Sequence, residues 1–96
     1  AKFNYNLRSP GKLSICPIYL IIRYQNEKLV YPTEERIPPE YWNKVNQRAK
    51  VSRSYPEAAY LNERLDFIEL EAKKAFRRFM LDNQHRFPTI VYSGPN

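Results

Sequence analysis

The sequence predicts an α+β fold in which a three-stranded antiparallel β-sheet packs against one long C-terminal α-helix. Three observations support this prediction. Residues 2–8 alternate between polar and apolar side chains, as a half-buried strand does. Residues 16–33 contain two β-rich runs on either side of three polar residues, a pattern typical of a hairpin. Apolar residues then recur at helical spacing over residues 61–79.

The first strand, KFNYNLR, separates its side chains onto two faces. Its apolar face consists of Phe3, Tyr5 and Leu7. Its polar face consists of Lys2, Asn4, Asn6 and Arg8. That polar face contains two bases, two amides and no acid, and such groups hydrogen-bond phosphates and base edges well. An ordinary solvated surface is the alternative interpretation.

The turn residues Ser9-Pro10-Gly11-Lys12 predict a reversal into the second strand, residues 18–24. In that strand Ile18, Leu20, Ile22 and Tyr24 share one face, and Tyr19, Ile21 and Arg23 share the other. The return strand, residues 28–33, places Leu29, Tyr31 and Thr33 on one face and Lys28 and Val30 on the other. Pro32 indicates an edge strand or a strand end.

The segment after the hairpin predicts a turn followed by a short helical turn. The prolines of IPPEYWN exclude a central strand, and its aromatic residues favour burial. We expect Trp42 to close one end of the core, the alternative being a side chain that stacks on a base. Residues 44–53 then predict a basic loop with four bases, Lys44, Arg48, Lys50 and Arg53, and no acid. This loop either follows a phosphate backbone or is simply solvated.

A long helix is predicted over about residues 55–84. Ser54 and Glu57 form a capping-box pattern, and Pro56 is tolerated in a first helical turn. The predicted buried stripe is Leu61, Leu65, Ile68, Ala72, Ala75, Phe76 and Phe79. Acids in the first half and bases in the second half complement the helix dipole. His85 is expected to be a capping or surface residue.

The length of 96 residues predicts one domain, residues 1–86, with its sheet over about residues 2–37, the basic loop at 44–53 and the helix at about 55–84. Residues 87–96 are expected to be a tail or a linker to an absent domain. Residues 89–92 could add a strand or dock on the core, and the sequence does not decide whether they are ordered.

The single cysteine, Cys16, fits a reducing cytoplasm, and we interpret it as a small strand residue. No apolar run is long enough to span a bilayer, so we expect a soluble protein without a membrane partner.

The net charge of +6 lies entirely in the first half of the chain. Residues 1–54 contain ten Lys or Arg and four acids, whereas residues 55–96 contain six of each. A basic excess on a sheet and its following loop suits a polyanion, because Lys and Arg neutralise phosphates. The sequence contains no catalytic constellation, metal cluster or glycine-rich phosphate loop. We therefore expect no catalysis, no cofactor and no small-molecule substrate.

Three segments in this order, PIYLIIRY, IPPEYWN and LNERLDFI, resemble the N-terminal arm-DNA-binding domains of bacterial tyrosine recombinases. These recombinases are the integrases of phages and conjugative transposons. The resemblance covers about residues 3–80. It implies double-stranded DNA as the partner, with the open sheet face in the major groove of arm-type sites. The catalytic Arg, His and Tyr would belong to a later domain, through which other recombinase protomers could also bind.

On this resemblance the DNA contacts would come from the open sheet face and the basic loop. The expected contact residues are Lys2, Asn4, Asn6, Arg8, Tyr19, Arg23, Lys28, Lys44, Arg48 and Lys50. Two features depart from the family pattern: Glu34-Glu35 stands where a small residue, often Gly, is expected, and Ile21 occupies an outward position. The alternative function is a protein–protein interaction module that uses the sheet face or the long helix. An apolar patch at Ile21 and Val30 with scattered bases would favour that alternative.

Overall fold

A computed structural model describes residues 1–82 and has the predicted α+β architecture. A three-stranded antiparallel sheet is followed by a 3-10 turn, a two-stranded hairpin and one long helix. The elements are β1 (Lys2–Leu7), β2 (Cys16–Tyr24), β3 (Glu27–Ile37), the 3-10 turn (Pro39–Tyr41), β4 (Trp42–Asn43), β5 (Arg48–Ala49) and α1 (Ala58–Asp82). The predicted fold class is therefore confirmed. The interpretations of His85 and of residues 87–96 lie outside the described residues.

The main sheet has the strand order β1-β2-β3, so the hairpin strand β2 lies at its centre. Antiparallel pairing aligns Tyr5 with Leu20 and Leu20 with Tyr31, and this row points into the core. Ile18, Leu20 and Ile22 are almost completely buried. One face of the sheet is therefore closed by the core, as the alternation in each strand predicts.

A two-residue turn connects β2 to β3. Tyr24 pairs with Glu27, and the two residues between them, Gln25 and Asn26, have φ angles of 48° and 61°. Positive φ at both central positions matches a type I′ turn, whose twist suits a tight hairpin. This turn fixes the register in which Arg23 lies opposite Lys28.

Strand β3 runs from Glu27 to Ile37, so it is longer than the predicted return strand of residues 28–33 and ends where the predicted sheet ends, at about residue 37. Between the pairs Tyr19–Pro32 and Pro17–Arg36, β3 has three residues where β2 has one, so the strand bulges. The buried Thr33 stabilises the bulge: its hydroxyl donates to the Ile18 carbonyl at 2.7 Å and accepts from the Glu35 amide at 3.1 Å. Pro32 marks an edge strand, but it does not end the strand.

The predicted basic loop is a small hairpin, formed by β4 and β5, that packs on the helix. Asn62 of α1 holds it: the Asn62 side chain accepts from the Ala49 amide at 2.7 Å and donates to the Ala49 carbonyl at 3.0 Å. The sequence did not predict these strands because each has only two residues, too few to show alternation. The Leu61-Asn62 pair of the sequence resemblance thus has a structural role here, since Leu61 is also buried.

Helix α1 begins at Ala58, later than predicted. The Ala58 amide donates to the Tyr55 carbonyl and the Leu61 amide to the Glu57 carbonyl, so the regular helix starts after Pro56. The predicted apolar stripe is confirmed: Leu61, Leu65, Ala72 and Phe76 are buried, and Ile68, Ala75 and Phe79 are partly buried. The Tyr5 hydroxyl donates to the Leu65 carbonyl at 2.6 Å, which links the sheet to the helix.

Trp42 is buried in the same core, as predicted, and Cys16 is a fully buried strand residue. Near the 3-10 turn, the rings of Tyr41 and Tyr55 stack with a centroid distance of 4.8 Å. The helix and the small hairpin therefore cover one face of the sheet, and the other face is open.

Candidate nucleic-acid interface

The strand register arranges the open sheet face in rows that cross all three strands. At one end, Lys2 pairs with Arg23 and Arg23 pairs with Lys28. All three side chains are exposed. Directly opposed residues on one face lie about 5 Å apart between Cβ atoms, so this row concentrates three positive charges within about 10 Å.

The next two rows are much less charged. One row consists of Asn4, Ile21 and Val30, and the following row consists of Asn6, Tyr19 and Pro32. A depression of 180 Å³ lies on this part of the face, lined by residues that include Tyr19, Ile21 and Val30. The centre of the open face is therefore apolar and aromatic, with amides along the β1 side.

Two further arginines lie at the opposite end of the face. The Arg8 amide donates to the Pro17 carbonyl at 3.0 Å, and Pro17 pairs with Arg36 on the other side. The Arg8 guanidinium lies over the Tyr19 ring, 4.6 Å from its centroid. This cation–π contact orients Arg8 along the open face.

Five cations lie at the two ends of the face, and within the part of the chain that the structure describes none of them is paired with an acid. Among residues 1–82, no salt bridge involves Lys2, Arg8, Arg23, Lys28 or Arg36. From Pro17 to Arg23 the strand is about 20 Å long, at roughly 3.3 Å per residue. The open face thus carries two exposed basic ends about 20 Å apart and an apolar centre.

Asn4 and Asn6 differ in their surroundings. The Asn4 side-chain oxygen accepts from the Gln47 side chain at 2.9 Å, and the Gln47 oxygen accepts from the Tyr5 amide at 2.7 Å. Gln47 therefore anchors the small hairpin to the outer edge of β1 and holds Asn4 in place. Asn6 is exposed and lines a cleft of 320 Å³ that also includes Gln47 and Lys44.

The bases of the small hairpin occupy three different environments. Lys44 is exposed and lies beside Asn6 at the β1 edge, so it extends the basic open face. Lys50 is exposed directly after β5, and its amide donates to the Tyr41 carbonyl at 2.7 Å. Arg48 instead points toward the helix.

Arg48 is held by carboxylates of α1. Its guanidinium bonds Asp66 at 2.7 Å and Glu69 at 2.8 Å, donates to the Gln47 carbonyl at 2.8 Å, and lies over the Tyr5 ring. Burial opposes its charge, but the hydrogen bonds that the guanidinium donates to Glu69 and Asp66, together with the negative charges of these carboxylates, outweigh burial and raise the pKa of Arg48. The structure thus does not bring Arg48 together with the open-face residues.

The same network shifts the pKa values of its neighbours. Burial opposes ionisation of Glu69, but hydrogen bonds from Lys73 and Arg48 lower the pKa of its carboxyl below the ordinary value. Burial raises the pKa of the Tyr5 phenol, which donates to a backbone carbonyl inside the core. Arg48, Glu69 and Tyr5 therefore belong to the packed side of the molecule, where the sheet, the small hairpin and α1 meet.

Arg36 belongs to the open face but is missing from the residues predicted from sequence. In a strand every second residue lies on the same face, so continuing the alternation of Lys28 and Val30 along β3 would also have assigned Arg36 to the open face. Pro32 indicated an edge strand or a strand end, so the predicted return strand stopped at Thr33, before Arg36. The bulge after Pro32 has no clear sequence signature. The missed residue therefore follows from the missed strand end.

Among residues 1–82, no group of three or more His, Cys, Asp or Glu side chains could hold a metal ion. Within the same residues, no helix is long and apolar enough to cross a membrane.

The sequence matches the profile of a known protein family. A family profile described as the Arm DNA-binding domain matches residues 7–91, which is most of the chain. Neither the curated proteins nor the solved structures gave a match to this chain. The family match agrees with the exposed basic ends of the open sheet face. The chain therefore belongs to the arm DNA-binding domain family, whose members are DNA-binding modules of recombinases and integrases.

Proposed function

We propose that this chain recognises specific DNA sequences at arm-type sites by inserting the open face of its three-stranded sheet into the major groove. The observation that carries the proposal is the pair of unneutralised basic ends on that face, Lys2, Arg23 and Lys28 at one end and Arg8 and Arg36 at the other. The opposite face is closed by the core and α1.

The dimensions of the sheet suit the groove. Three strands spaced about 4.8 Å apart span roughly 10 Å, and the B-DNA major groove is about 12 Å wide. With the strands along the groove, the middle of the face meets the base edges. Because the groove winds around the duplex, side chains at the strand ends meet the phosphate backbones.

The residues then divide into two kinds of contact. Lys2, Arg8, Arg23, Lys28 and Arg36 neutralise phosphates, with Arg23 near enough to the centre to reach a base edge as well. Lys44 extends the phosphate contacts beyond the β1 edge, and Lys50, exposed after β5, adds a further phosphate contact from the small hairpin. Asn4, Asn6 and Tyr19 donate to base edges or phosphates from the middle rows. Arg48 is left out because its guanidinium is bound to Asp66 and Glu69.

The alternative of a protein–protein interaction module draws on Ile21 and Val30, which form the apolar patch that it requires. The bases do not scatter around this patch. They gather at the two ends of the face, and a protein partner would have to supply acids at both ends. We therefore favour DNA.

In the wider proposal, the chain is a non-catalytic module of a cytoplasmic bacterial tyrosine recombinase from a mobile element. DNA cleavage and rejoining, and contacts with other protomers, would belong to parts of that recombinase outside these 96 residues. The combination of a family match to arm DNA-binding domains and a basic open face supports this assignment.

The proposal is tested by titrating the chain with duplex DNA that carries direct repeats from the ends of the element, against a scrambled duplex of equal length. With seven phosphates neutralised, by the five cations at the strand ends and by Lys44 and Lys50, log Kd should depend on log salt concentration with a slope magnitude of about 6. The repeat duplex should bind more tightly than the scrambled duplex at every salt concentration. Absence of binding at low salt, or binding that salt does not change, would contradict the proposal.

A further inference from the structure

We propose that Ile21 and Val30 read thymine through its C5-methyl group, so that the recognised DNA carries thymine opposite the middle of the open sheet face. This inference rests on the proposed function and names the specificity determinant of the same site. Its basis is the position, exposure and chemistry of these two side chains.

The two residues form a pair at the centre of the face. Ile21 of β2 is the direct register partner of Val30 of β3. Val30 is 38% exposed and Ile21 is partly buried, although both lie on the face that the core does not cover. Both line the 180 Å³ depression together with Tyr19, Asn6, Arg8 and Lys28. The pair is thus an apolar contact surface with cations on either side.

Neither residue is needed to fill the core. The core side of the sheet is occupied by the alternate residues Leu20 and Ile22 of β2 and by Tyr31 of β3, which pack under α1. Ile21 and Val30 are β-branched, so their side chains have few rotamers and present their methyl groups in nearly fixed positions. Because this apolar pair is rigid and lies on an exposed face, it is better placed to contact a second molecule than to pack within the domain.

The chemistry of the major groove selects the ligand group. On its base edges, guanine presents acceptors, cytosine a donor, and adenine one of each, whereas thymine presents an acceptor and a methyl group. An apolar pair over a donor or acceptor would desolvate it without offering a hydrogen bond, which is unfavourable. The thymine methyl group is the base-edge feature that such a pair stabilises.

The neighbouring rows allow this contact to form. Arg23 and Lys28 occupy the adjacent row, one pleat repeat from Ile21 and Val30, and have no salt bridge among the described residues. They hold the phosphates on one side, and Arg8 holds them on the other. Asn4 completes the central row: its oxygen accepts from Gln47, and its NH2 group is the donor that remains for a base edge. Donation to the thymine O4 acceptor is compatible with a methyl contact beside it.

The experiment first selects duplexes from a random pool that the chain binds, and then replaces each thymine of a selected duplex by uracil, one at a time. Uracil lacks only the C5-methyl group, so base pairing is kept. Removing one buried methyl group should weaken binding about fourfold. We expect this loss at one or two positions near the centre of the site and no change at the remaining thymines.

Two variants complete the test. Ile21→Ala and Val30→Ala should each weaken binding to the thymine duplex, and binding by the double variant should no longer distinguish thymine from uracil. Leu70→Ala is the matched control, because Leu70 is an exposed apolar residue of α1 away from the sheet face, and it should keep the full preference for thymine. Thymine replacement leaves the protein unchanged, so it remains decisive even if an alanine variant folds poorly.

The outcomes separate this inference from the function on which it rests. Tight, salt-dependent binding with equal affinities for all thymine and uracil duplexes would overturn the methyl contact and leave DNA binding intact. A thymine preference that persists in the Ile21→Ala, Val30→Ala double variant would overturn the assignment to these residues. Failure to bind any duplex at low salt would overturn the proposed function and the inference with it.

Discussion

Arg23 and Arg48 show how two strand arginines of one small domain come to differ. Arg23 lies on the open face between Lys2 and Lys28, and no carboxylate among residues 1–82 pairs with it. Arg48 lies against α1 between Asp66 and Glu69. The side chains have the same chemistry, but one charge is neutralised inside the molecule and the other is available to a partner.

The location of the acids, more than the number of bases, therefore defines the basic surface. The acids of α1 neutralise the hairpin base that faces them, whereas the open face keeps bases in its end rows and amides in its middle rows. The sequence of residues 44–53 contains no acid, so its bases looked equally available in the sequence. Tertiary contacts with residues about 20 positions away decide which of them remain free.

The largest effect that would test this comparison is expected for Arg48→Ala. Its removal leaves the Glu69 carboxylate, which is partly buried, with fewer partners and should lower the free energy of unfolding by about 2 kcal/mol. Urea unfolding can be followed by the fluorescence of the single tryptophan, Trp42, which is buried. DNA affinity of the folded variant should stay within about twofold of the parent, because Arg48 is bound to carboxylates of α1 and does not lie on the open face.

Arg53→Ala is the matched control for that change, since Arg53 is exposed and has no salt bridge among the described residues. Its unfolding free energy should change by less than about 0.5 kcal/mol. An Arg48→Ala variant that keeps full stability but loses DNA affinity would reverse the assignment of the two arginines.

The second effect is expected for Arg23→Ala, which should weaken DNA binding about tenfold and reduce the magnitude of the salt slope by about 1. The urea midpoint should not change, because the side chain is exposed and unpaired within residues 1–82. Arg77→Ala removes the same charge from the exposed side of α1 and should retain most of the affinity. Equal losses for both variants would mean that net charge alone, and not the open face, governs binding.

A third, smaller effect concerns the platform itself. Glu34 in the β3 bulge has a φ of 67°, a left-handed conformation that favours glycine. Glu34→Gly should therefore raise the free energy of unfolding by about 1 kcal/mol. Glu34→Ala removes the same charge but keeps the Cβ atom, so it should give no such gain in urea unfolding. Equal stabilisation by both variants would assign the effect to charge instead of backbone strain.

The smallest effect is the acid sensitivity of the Arg48 network. The pKa of Glu69 is lower in the folded protein than its ordinary value of 4.5, so its contribution to stability is fully present above pH 4.5. The contribution is lost as pH falls through the lowered folded-state pKa. Unfolding free energies measured across that acid range should decline less steeply for Glu69→Gln than for the parent. Identical slopes would show that Glu69 does not carry this dependence.

The sequence predicts most of the fold because the decisive signals are local. Alternation in β1 and β2, the turn residues after Tyr24 and the helical stripe each specify an element without knowledge of the rest. The late start of α1 and the continuation of β3 past Pro32 were missed. Both depend on backbone hydrogen bonds, which do not require particular side chains and so leave little signal in the sequence. The two short strands of the small hairpin are held by Asn62, a contact across 13 positions.

The candidate site is predictable only in part for the same reason. Lys2, Arg23 and Lys28 could be assigned to the open face from alternation, but their alignment in one row requires the register of all three strands. Arg36 was missed together with the strand that carries it. The separation of Arg48 from the other bases depends on Asp66 and Glu69, whose approach the local sequence does not encode.

The Gln47 contact with β1 has a consequence for how the edges of the sheet meet other chains. An edge strand with free amides and carbonyls is a template for pairing with another chain. The Gln47 side-chain oxygen accepts the hydrogen bond of the Tyr5 amide in the middle of the β1 edge. The bulge after Pro32 interrupts the edge formed by β3. Both outer edges of the sheet are therefore poor templates for strand pairing, so we expect the domain to resist edge-to-edge aggregation.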